Sequence, residues 1–470
     1  MRDNHHDHDD DRQLTTFSAV AAFAATQERK WQSAVRTYFK DGEAGVWLSR
    51  TGRQQLPSQG WKLHVTCTVA NCDRVLDIVG SHIAEHDLSA KAIRTVRLLK
   101  ILNAGLAFGY SQVGKAFTLY FPSTDQFLTS IGSLAPRLEN IAGPAVPYDF
   151  AIGPSKCLFY RYGAFDRSGS LTAPDGRLVP DERNRAWLPD WVSHPLDMPT
   201  NEATRIPDGS VVYSCLSQRG KGGVYLALDL LTKPPRPIII KEGRRHGEVG
   251  WDLRDGYDLV ANEARTLDRL NSRPIGPRLL WTRASATVFY IGLEKLAGKT
   301  LWDEMVARSP LLRNAAKRRR LIERLIDMLG ELHRRGIAWQ DIKPQNIICT
   351  ARGPRFLDFE GSREVAHAEY AEPWVSPGFQ APEMRRGRSG RSLLAQDAYA
   401  MGKILYLIEA AASRPAPVSR VRLDLPPVGN DGPFGRMVAA MTAHRPGSRP
   451  AMARVLQSIR AANRPRARAP

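Results

Sequence analysis

The stretch WQDIKPQNIICTARGPRFLDFEGS, residues 339–362, decides the fold because it places polar side chains at fixed intervals. Asp341 precedes Asn346 by five residues and Asp358 by seventeen. Phosphoryl transfer needs bound phosphates, a metal that neutralises their charge, and an oriented hydroxyl nucleophile. Carboxylate and amide oxygens are ligands that Mg²⁺ prefers, so Asn346 and Asp358 are predicted to bind this metal. Asp341 is predicted to orient the substrate hydroxyl, and Lys343 to steady the transferred phosphoryl group.

Parts of a nucleotide site precede this stretch. Three glycines in QRGKGGVYLALD lie between two predicted strands, where backbone N–H groups can approach phosphate oxygens: Gly220, Gly222 and Gly223. Lys241 ends the apolar strand PIIIKEG, and Glu263 follows in the helical stretch DLVANEARTLDRL. These two residues are predicted to pair and to hold the nucleotide phosphates. Each signal alone also fits an ordinary hairpin or a solvated strand edge, but their order along the chain favours the nucleotide site.

The remaining motifs, PGFQAPE, DAYAMGKILYLI and RPGSRP, continue the same order. Residues from about 205 to 462 resemble the protein kinase superfamily, which implies binding of ATP, with GTP left open, and of Mg²⁺. Trp339 and Gln340 replace the usual His and Arg, and Glu360 replaces the usual Gly. Without that Arg, activation by a phosphorylated loop is not expected. A catalytically inactive kinase fold is the alternative.

Alternation in WKLHVTCTV, residues 61–69, predicts a strand in the first part of the chain. Successive side chains point to opposite faces, so Lys62 and His64 share one face. A half-buried strand with a polar outer side explains this pattern equally well. The pattern LSAKAIRTVRLLKILN predicts a helix over 90–103, and such a helix usually has a solvated basic side. Its cations are Lys91, Arg94, Arg97 and Lys100.

Several motifs in this first region carry a family resemblance. GWKLHVT, VGKAFTLYFP, LFYRYGAF and PDGRLVPDERNRAWLPDWV resemble the lyase domain of class III lanthipeptide synthetases, which is itself similar to bacterial phosphothreonine lyases. The resemblance covers about residues 35–195 and extends to kinase-region motifs such as IIIKEGRRHG. It implies that the kinase phosphorylates Ser or Thr of a ribosomal precursor peptide, which has a leader and a Ser/Thr core. The lyase would then eliminate the phosphate, leaving dehydroalanine or dehydrobutyrine.

The same resemblance implies roles for single residues. Lys91 would be the base that takes the α-proton, and His64 the acid that protonates the departing phosphate. AGLAFGYSQ lacks the cation that the family carries between its Asn and its Gly-Lys pair. No segment resembles the family's third domain, a cyclase, so ring formation is expected to fall to a separate cyclase or not to occur. Five side chains would grip the phosphate: Lys62, Lys115, Arg161, Arg94 and Tyr120.

The predicted fold class is α+β, with an N-terminal phosphothreonine-lyase-like α/β domain followed by a two-lobed protein kinase-like domain. A length of 470 residues favours two domains. A Gly-rich hairpin with a mobile tip is predicted to open the second one. The predicted boundaries are a flexible acidic and His-rich tail over 1–30, the lyase-like domain with its connector over 31–200, the kinase-like domain over 201–462, and a basic tail over 463–470.

Composition narrows the expected partners and location. The net charge of +19 fits nucleic acid or an acidic peptide, but the short basic runs lack interleaved aromatic residues, so nucleic acid is not expected. The chain has no apolar run of about 18 residues, so no membrane span is expected. Its start, MRDNHHDHDDDRQL, does not resemble a secretory signal, which favours a cytoplasmic protein. Five scattered cysteines predict reduced thiols and no structural zinc.

Three classes of function follow from these patterns. The first is a bifunctional kinase and lyase that dehydrates residues of a precursor peptide. The second keeps only the kinase active and uses the first domain to bind the phosphorylated substrate, which the missing cation in AGLAFGYSQ favours. The third is a scaffold or nucleic-acid binder. In that case the kinase motifs would have no catalytic role.

Overall fold

The computed structural model describes residues 17–40, 45–166, 169–196, 206, 209–367, 374, 376–385, 392–413 and 432–462. The chain divides into two compact units. One contains Val20–Val260 with Arg283–Tyr290, and the other consists mainly of Ala261–Thr282 and Ile291–Pro470. Helices and strands are mixed throughout, so the predicted α+β class is confirmed. The predicted basic tail over 463–470 lies outside the described residues.

A six-stranded antiparallel sheet forms the centre of the first unit, in the order β1-β3-β4-β2-β6-β5. Its strands are β1 (Trp47–Arg50), β2 (Gln59–Val65), β3 (Ser89–Ile93), β4 (Phe117–Tyr120), β5 (Phe150–Ala151) and β6 (Leu158–Ala164). The helices of this region are α1 (Phe17–Tyr38), α2 (Cys72–Glu85), α3 (Val96–Ala104) and α4 (Thr124–Arg137).

Alternate residues of the strands build the core beneath this sheet. Trp61 and Leu63 of β2 are buried, and the Trp61 ring stacks on Phe127 of α4 with 5.4 Å between centroids. Trp31 of α1 packs on Phe117 of β4 at 5.7 Å. Burial of each such side chain contributes about 1.5–3 kcal/mol. The apolar side chains of the alternating pattern therefore pack in the core, and the polar side chains lie on the opposite face of the sheet.

Two predictions in this region are wrong in detail. The helix predicted over 90–103 is divided, because residues 89–93 pair with β1 and β4 as strand β3. Helix α3 begins only after Thr95, whose hydroxyl accepts a hydrogen bond from the Leu98 N–H at 3.1 Å. Helix α1 begins at Phe17, so the tail predicted over 1–30 is too long, and its residues 1–16 lie outside the described part.

The connector contains a short hairpin, β7 (Ser170–Thr172) with β8 (Leu178–Pro180), where sequence indicated loops. Three antiparallel strands follow: β9 (Ser210–Arg219), β10 (Gly222–Asp229) and β11 (Arg236–Arg244). The predicted Gly-rich hairpin is therefore present. Its tip is held rather than mobile, because the Gly220 N–H donates to the Ala104 carbonyl at 3.3 Å. The Lys221 carbonyl accepts from the Arg244 N–H at 2.8 Å.

Three elements cross the division between the units: α5 (Gly256–Leu270), β12 (Leu279–Ala284) and β13 (Val288–Glu294). The second unit contains a three-stranded sheet of β14 (Gly298–Thr300), β16 (Ile347–Thr350) and β17 (Gly353–Phe356), and a pair of β15 (Ile337–Ala338) with β18 (Arg363–Glu364). Its helices are α6 (Leu301–Val306), α7 (Pro310–Arg313), α8 (Ala315–Arg334), α9 (Pro382–Arg385), α10 (Leu393–Ser413), α11 (Gly432–Met441) and α12 (Met452–Ala462). None of the helices in the described residues is long and apolar enough to cross a membrane.

Candidate functional site

The register of the first sheet brings distant polar residues into two neighbouring rows. In one row His64 of β2 lies opposite Thr118 of β4, which lies opposite Lys91 of β3. In the next row Lys62 lies between Tyr120 and Arg161. Residues two apart on a strand share a face, so both rows lie on the face opposite Trp61 and Leu63.

These side chains line a pocket of about 70 Å³. Six of its lining residues were predicted from sequence: Lys62, His64, Lys91, Lys115, Tyr120 and Arg161. Three more were not predicted: Gln112, Thr118 and Arg183. The pocket thus brings five cationic side chains and one histidine to a space large enough for a small anion.

Two buried carboxylates form ion pairs with cations that line the pocket. Asp149 pairs with the His64 ring and lies 3.4 Å from the Lys115 Nζ. Asp181 pairs with Arg161 and, at 2.9 Å, with Arg183. Both carboxylates are almost fully buried, so these pairs fix the side chains that face the pocket.

Lys62 and Lys91 have no carboxylate partner within the described ranges. The Lys62 Nζ donates to the Ala164 carbonyl, and the Lys91 Nζ lies 4.6 Å from the centre of the Trp47 ring. Burial, opposed by Asp181, lowers the pKa of Lys62 to about 7. Burial and the charges of Lys115 and Arg183 lower the pKa of Lys91 to about 8. Both amines therefore reach the neutral form much more readily than an exposed lysine.

Burial also sets the protonation of the other pocket residues. It lowers the pKa of His64 to about 3, although Asp149 acts in the opposite direction. Burial would raise the pKa of Asp149, but Lys115 and His64 outweigh this effect and lower it. Burial raises the pKa of Tyr120 to about 12. At neutral pH the empty pocket therefore contains a neutral imidazole, an ionised Asp149 and a protonated phenol.

A second constellation surrounds Asp341 in the other unit. The buried Asp341 Oδ2 accepts hydrogen bonds at 2.7 Å from both Lys343 Nζ and Asn346 Nδ2. Its Oδ1 accepts from the Ser376 hydroxyl at 2.5 Å. The structure thus brings together the predicted hydroxyl-orienting carboxylate, the predicted phosphoryl-binding lysine and one predicted metal ligand.

The two predicted metal ligands flank one hairpin. Asn346 immediately precedes β16, Asp358 follows β17 by two residues, and these strands pair with Ile347 opposite Phe356. The Leu357 N–H also donates to the Asn346 carbonyl at 2.8 Å. The strand pairing therefore brings the backbone at these two positions close together, and binding of one cation by their side chains stays a prediction.

Comparison with known proteins assigns both regions. Residues 27–206 match the family described as RamC, N-terminal domain, and residues 220–417 match the protein kinase domain. The chain carries a RamC N-terminal domain followed by a protein kinase domain. The two resemblances found in the sequence are confirmed at this level.

The probable SapB synthase of Streptomyces coelicolor is 31% identical over 421 residues, which is 83% of this chain and 43% of that protein. The serine/threonine-protein kinase PknG of Mycolicibacterium smegmatis is 26% identical over 49% of this chain and 30% of its own length. The CBL-interacting serine/threonine-protein kinase 17 of Arabidopsis thaliana is 31% identical over 41% of this chain and 44% of its own length. The chain spans less than half the length of each of these relatives.

The unusual residues of the kinase domain have structural uses. Trp339 stacks on Phe356 at 4.1 Å, and its Nε1–H donates to the Asp358 carbonyl at 3.2 Å. The Gln340 side-chain amide donates to the Leu393 carbonyl at 3.1 Å and to Asp397 at 3.2 Å. Trp339 therefore connects the catalytic segment to the metal-ligand segment, while Gln340 supports the interior of the domain and brings no cation.

Glu360, the other departure in the kinase domain, lies in a carboxylate cluster. Oxygens of Glu263, Asp358 and Glu360 lie within 4.8 Å of one another. Oxygen ligands of this kind suit Mg²⁺, so the cluster is compatible with the predicted metal, although it contains only one of the two predicted ligands, Asp358. Lys241 lies opposite Val224 in the first unit, and its pairing with Glu263 stays a prediction.

The predicted phosphate-binding glycines have a packing role that sequence did not reveal. A Cβ atom on Gly220 would lie 1.7 Å from the Asn103 carbonyl oxygen, and one on Gly222 would lie 1.8 Å from that of Glu242. Gly222 also has a φ of +145°, which side chains rarely adopt. Contact with phosphate stays a prediction for these two and for Gly223.

One predicted member of the RamC-domain site lies elsewhere. Arg94 follows β3, where its N–H donates to the Val46 carbonyl at 2.9 Å, and its side chain does not line the pocket. The prediction assumed a helix that would place Arg94 beside Lys91, and that helix does not exist here. Arg183, within the motif PDERNRAWLPDWV, supplies the additional cation. Thr118 could have been found by alternation from Tyr120, but no sequence signal pointed to Asp149.

Proposed function

We propose that the chain phosphorylates Ser or Thr side chains of a peptide and then removes the phosphate by β-elimination. The observation that carries the proposal is the pocket in which Lys91, His64 and four further cations face one small space. Phosphoryl transfer at Asp341 does not use this pocket, which has the size and the charge to hold a phosphate. The two constellations together support successive installation and removal of one phosphoryl group.

In the first step the peptide hydroxyl attacks the terminal phosphate of ATP, with GTP as the alternative nucleotide. Asp341 would hold the hydroxyl and accept its proton, and Lys343 would contact the transferred group. Asn346 and Asp358 would hold Mg²⁺, which neutralises charge on the phosphates when bound. Gly220, Gly222, Gly223, Lys241 and Glu263 would bind the nucleotide.

In the second step the neutral amine of Lys91 would take the α-proton of the phosphorylated residue. The electron pair forms the Cα–Cβ double bond as the Cβ–O bond breaks, and phosphate leaves with a proton from His64. Lys62, Lys115 and Arg161 would balance the charge that grows on the phosphate. The product is dehydroalanine or dehydrobutyrine, so the two steps together remove one water.

The pKa values of the pocket support these roles. A pKa of about 8 leaves about a tenth of Lys91 neutral at pH 7, against about one molecule in three thousand at the ordinary pKa. His64 is neutral without substrate, and a bound phosphate dianion favours its protonated form, while the same dianion opposes the neutral form of Lys91. The substrate itself would therefore bring His64 into the state that an acid requires.

Thr118 and Arg183 extend this site. The Thr118 hydroxyl is buried in the pocket and has no hydrogen-bond partner among the described residues. A phosphate oxygen would satisfy it. Arg183 adds a cation at the edge of the pocket and is half exposed, so it can reach an entering substrate. We assign both residues to phosphate binding, with Tyr120 and Gln112 as neutral donors.

The second candidate is an active kinase whose RamC domain only binds the phosphorylated product. One observation favours it: the segment AGLAFGYSQ contributes Gln112 to the pocket and no cation. Both candidates place the chain in the cytoplasm and act on a precursor peptide. Formation of rings by a separate cyclase stays a prediction in either case.

Mass spectrometry of a candidate precursor peptide, incubated with the protein, ATP and Mg²⁺, tests the proposal. Loss of one water per modified residue supports both steps. Accumulated phosphopeptide supports the second candidate, and unchanged peptide argues against both. A synthetic phosphoserine peptide given without ATP isolates the elimination step, because it requires only the RamC domain pocket.

A further inference from the structure

A second pocket, of about 690 Å³, lies in the kinase domain. Three segments line it: 270–278 after α5, 294–297 after β13, and 350–355 at the turn between β16 and β17. None of its lining residues belongs to the group around Asp341 or to the predicted nucleotide-binding residues. The pocket is therefore distinct from both predicted sites of this domain.

Positive charge dominates the lining of this pocket, which we call the basic pocket. Its ionisable lining residues are Arg273, Arg278, Glu294, Lys295, Arg352 and Arg355. Five cations thus face one carboxylate. Cations at this density repel one another, and an anion in the pocket would relieve that repulsion.

Most of these charges are not neutralised within the described part of the chain. Arg278 lies 3.6 Å from Glu294, and both side chains are well exposed. Arg273, Lys295 and Arg352 make no ion pair there. Burial lowers the pKa of Arg355, Glu294 opposes this effect, and the charges of Arg324 and Arg352 add to it.

We propose that the basic pocket binds an acidic segment of the peptide substrate, outside the site of phosphoryl transfer. That the acidic ligand is the substrate rests on the function proposed above. Guanidinium groups suit carboxylates because they donate two parallel hydrogen bonds. Nucleic acid is the weaker candidate, since none of the described residues that line the pocket is aromatic and could stack on a base.

The hairpin of β16 and β17 connects this pocket to the catalytic residues. Arg352 lies in its turn, while Asn346 and Asp358 lie at its open end. Strands rise about 3.3 Å per residue, so the four steps from Asn346 to Thr350 span about 13 Å. An acidic segment in the pocket and a Ser or Thr at Asp341 could thus belong to one peptide separated by a short linker.

A labelled peptide of glutamates that lacks Ser and Thr tests binding by fluorescence anisotropy, with a glutamine peptide as its neutral control. The variant Arg273→Gln/Arg352→Gln removes two unpaired cations and should weaken binding about tenfold, as expected for losing charge-assisted hydrogen bonds. Its matched control is Arg454→Gln/Arg460→Gln on α12, which removes two exposed cations outside the pocket. The control variant should bind like the unchanged protein.

Glu294→Gln is expected to change the affinity for the glutamate peptide in the opposite direction. Glu294 accepts a hydrogen bond from the Arg278 N–H at 3.2 Å, and a glutamine oxygen can keep it while the negative charge is lost. Binding of the glutamate peptide should therefore tighten about twofold to threefold, since one repulsive charge is removed at an exposed site.

Each outcome separates this inference from the proposed function. Equal loss of binding in both double variants, or no binding of the glutamate peptide, overturns the inference. A labelled single-stranded oligonucleotide that binds more tightly at the same salt, and loses affinity only in the pocket variant, overturns it in favour of nucleic acid. Because the glutamate peptide cannot be phosphorylated, dehydration of a precursor peptide could still be observed when this inference fails.

Discussion

The kinase site and the pocket of the RamC domain are built in different ways. The kinase residues Asp341, Lys343, Asn346 and Asp358 come from one stretch of eighteen residues and a single hairpin. The RamC pocket collects its residues from positions 62 to 183, across four strands and two connecting segments. The kinase site can be recognised in sequence because its residues form one short motif. The RamC pocket is assembled by the register of a sheet, so in sequence its residues appear only as isolated cations. The two sites should also respond differently to mutation.

The largest effect is expected for Asp341→Asn. Losing the carboxylate that orients the hydroxyl and accepts its proton should slow phosphorylation about 10³-fold, and dehydration of an unmodified peptide should stop with it. Mass spectrometry of peptide products measures both. Asp327→Asn, at a partly exposed position of α8, is the control and should behave like the unchanged protein. Undiminished phosphorylation would remove Asp341 from its assigned role.

Lys91→Ala should separate the two sites. Phosphorylation should continue, while elimination slows about 10²-fold because the base is missing, and phosphopeptide should accumulate. Arg97→Ala changes a cation from the same sequence pattern that is exposed on α3, and it should leave both steps intact. If dehydration continued at the normal rate in Lys91→Ala, the elimination mechanism would have to be abandoned.

The pH dependence of elimination should identify the base. Only neutral Lys91 can take a proton, and its folded pKa of about 8 lies below the ordinary value. In His64→Gln, which removes the opposing titration of the acid, kcat/KM on a phosphoserine peptide should therefore rise between pH 7 and pH 9. A rate that stays flat over this range would contradict a lysine base in the free protein.

Asp149→Asn tests a positioning residue. The carboxylate holds the His64 ring and Lys115, so its loss should slow elimination about tenfold. Asp149 raises the pKa of His64, so its removal lowers that pKa further, and the pH optimum should move to lower pH. A drop in rate without movement of the optimum would indicate damage to the fold alone. Phosphorylation is the internal control.

The smallest effect is expected for Gly220→Ala. Its Cβ would lie 1.7 Å from the Asn103 oxygen, so the free energy of unfolding should fall by about 1–3 kcal/mol. Gly132→Ala in α4 meets nothing within 4 Å and should be neutral or slightly stabilising. Thermal unfolding compares the two. An unchanged melting temperature with a raised KM for ATP would assign Gly220 to phosphate binding instead.

Sequence predicted the parts that depend on local pattern. The order of the kinase motifs and the shared face of Lys62 and His64 needed only spacing and alternation. Lys91 was identified through the family resemblance, while its strand was predicted wrongly as the start of a helix. The Thr95 cap was a readable signal that the helix begins later. Asp149 could not be found, since it directly precedes β5, and sequence did not reveal that β5 lies two strands away from the His64 strand in the sheet.

Departures from the kinase pattern illustrate the same limit. Substitution of Trp339 and Gln340 in the catalytic motif was visible at once, but their consequences were not. Only the structure relates the Trp339 ring to Phe356 and to the Asp358 carbonyl. A residue's chemistry can be read from sequence, whereas the partner that receives its hydrogen bond is a property of the fold.

The contact between the β9–β10 hairpin and the end of α3 matters for any attempt to produce the RamC domain as a separate fragment. Asn103 binds the Cys67 carbonyl at 3.0 Å and the Gly114 N–H at 3.3 Å, and the next carbonyl, that of Ala104, accepts from Gly220. A fragment that stops at residue 206 would lose the last of these bonds and open a helix end to water. If such an N-terminal fragment had low activity, local unfolding at the end of α3 would explain the loss without any defect in the catalytic residues. A series of truncated proteins should therefore extend at least to Val260.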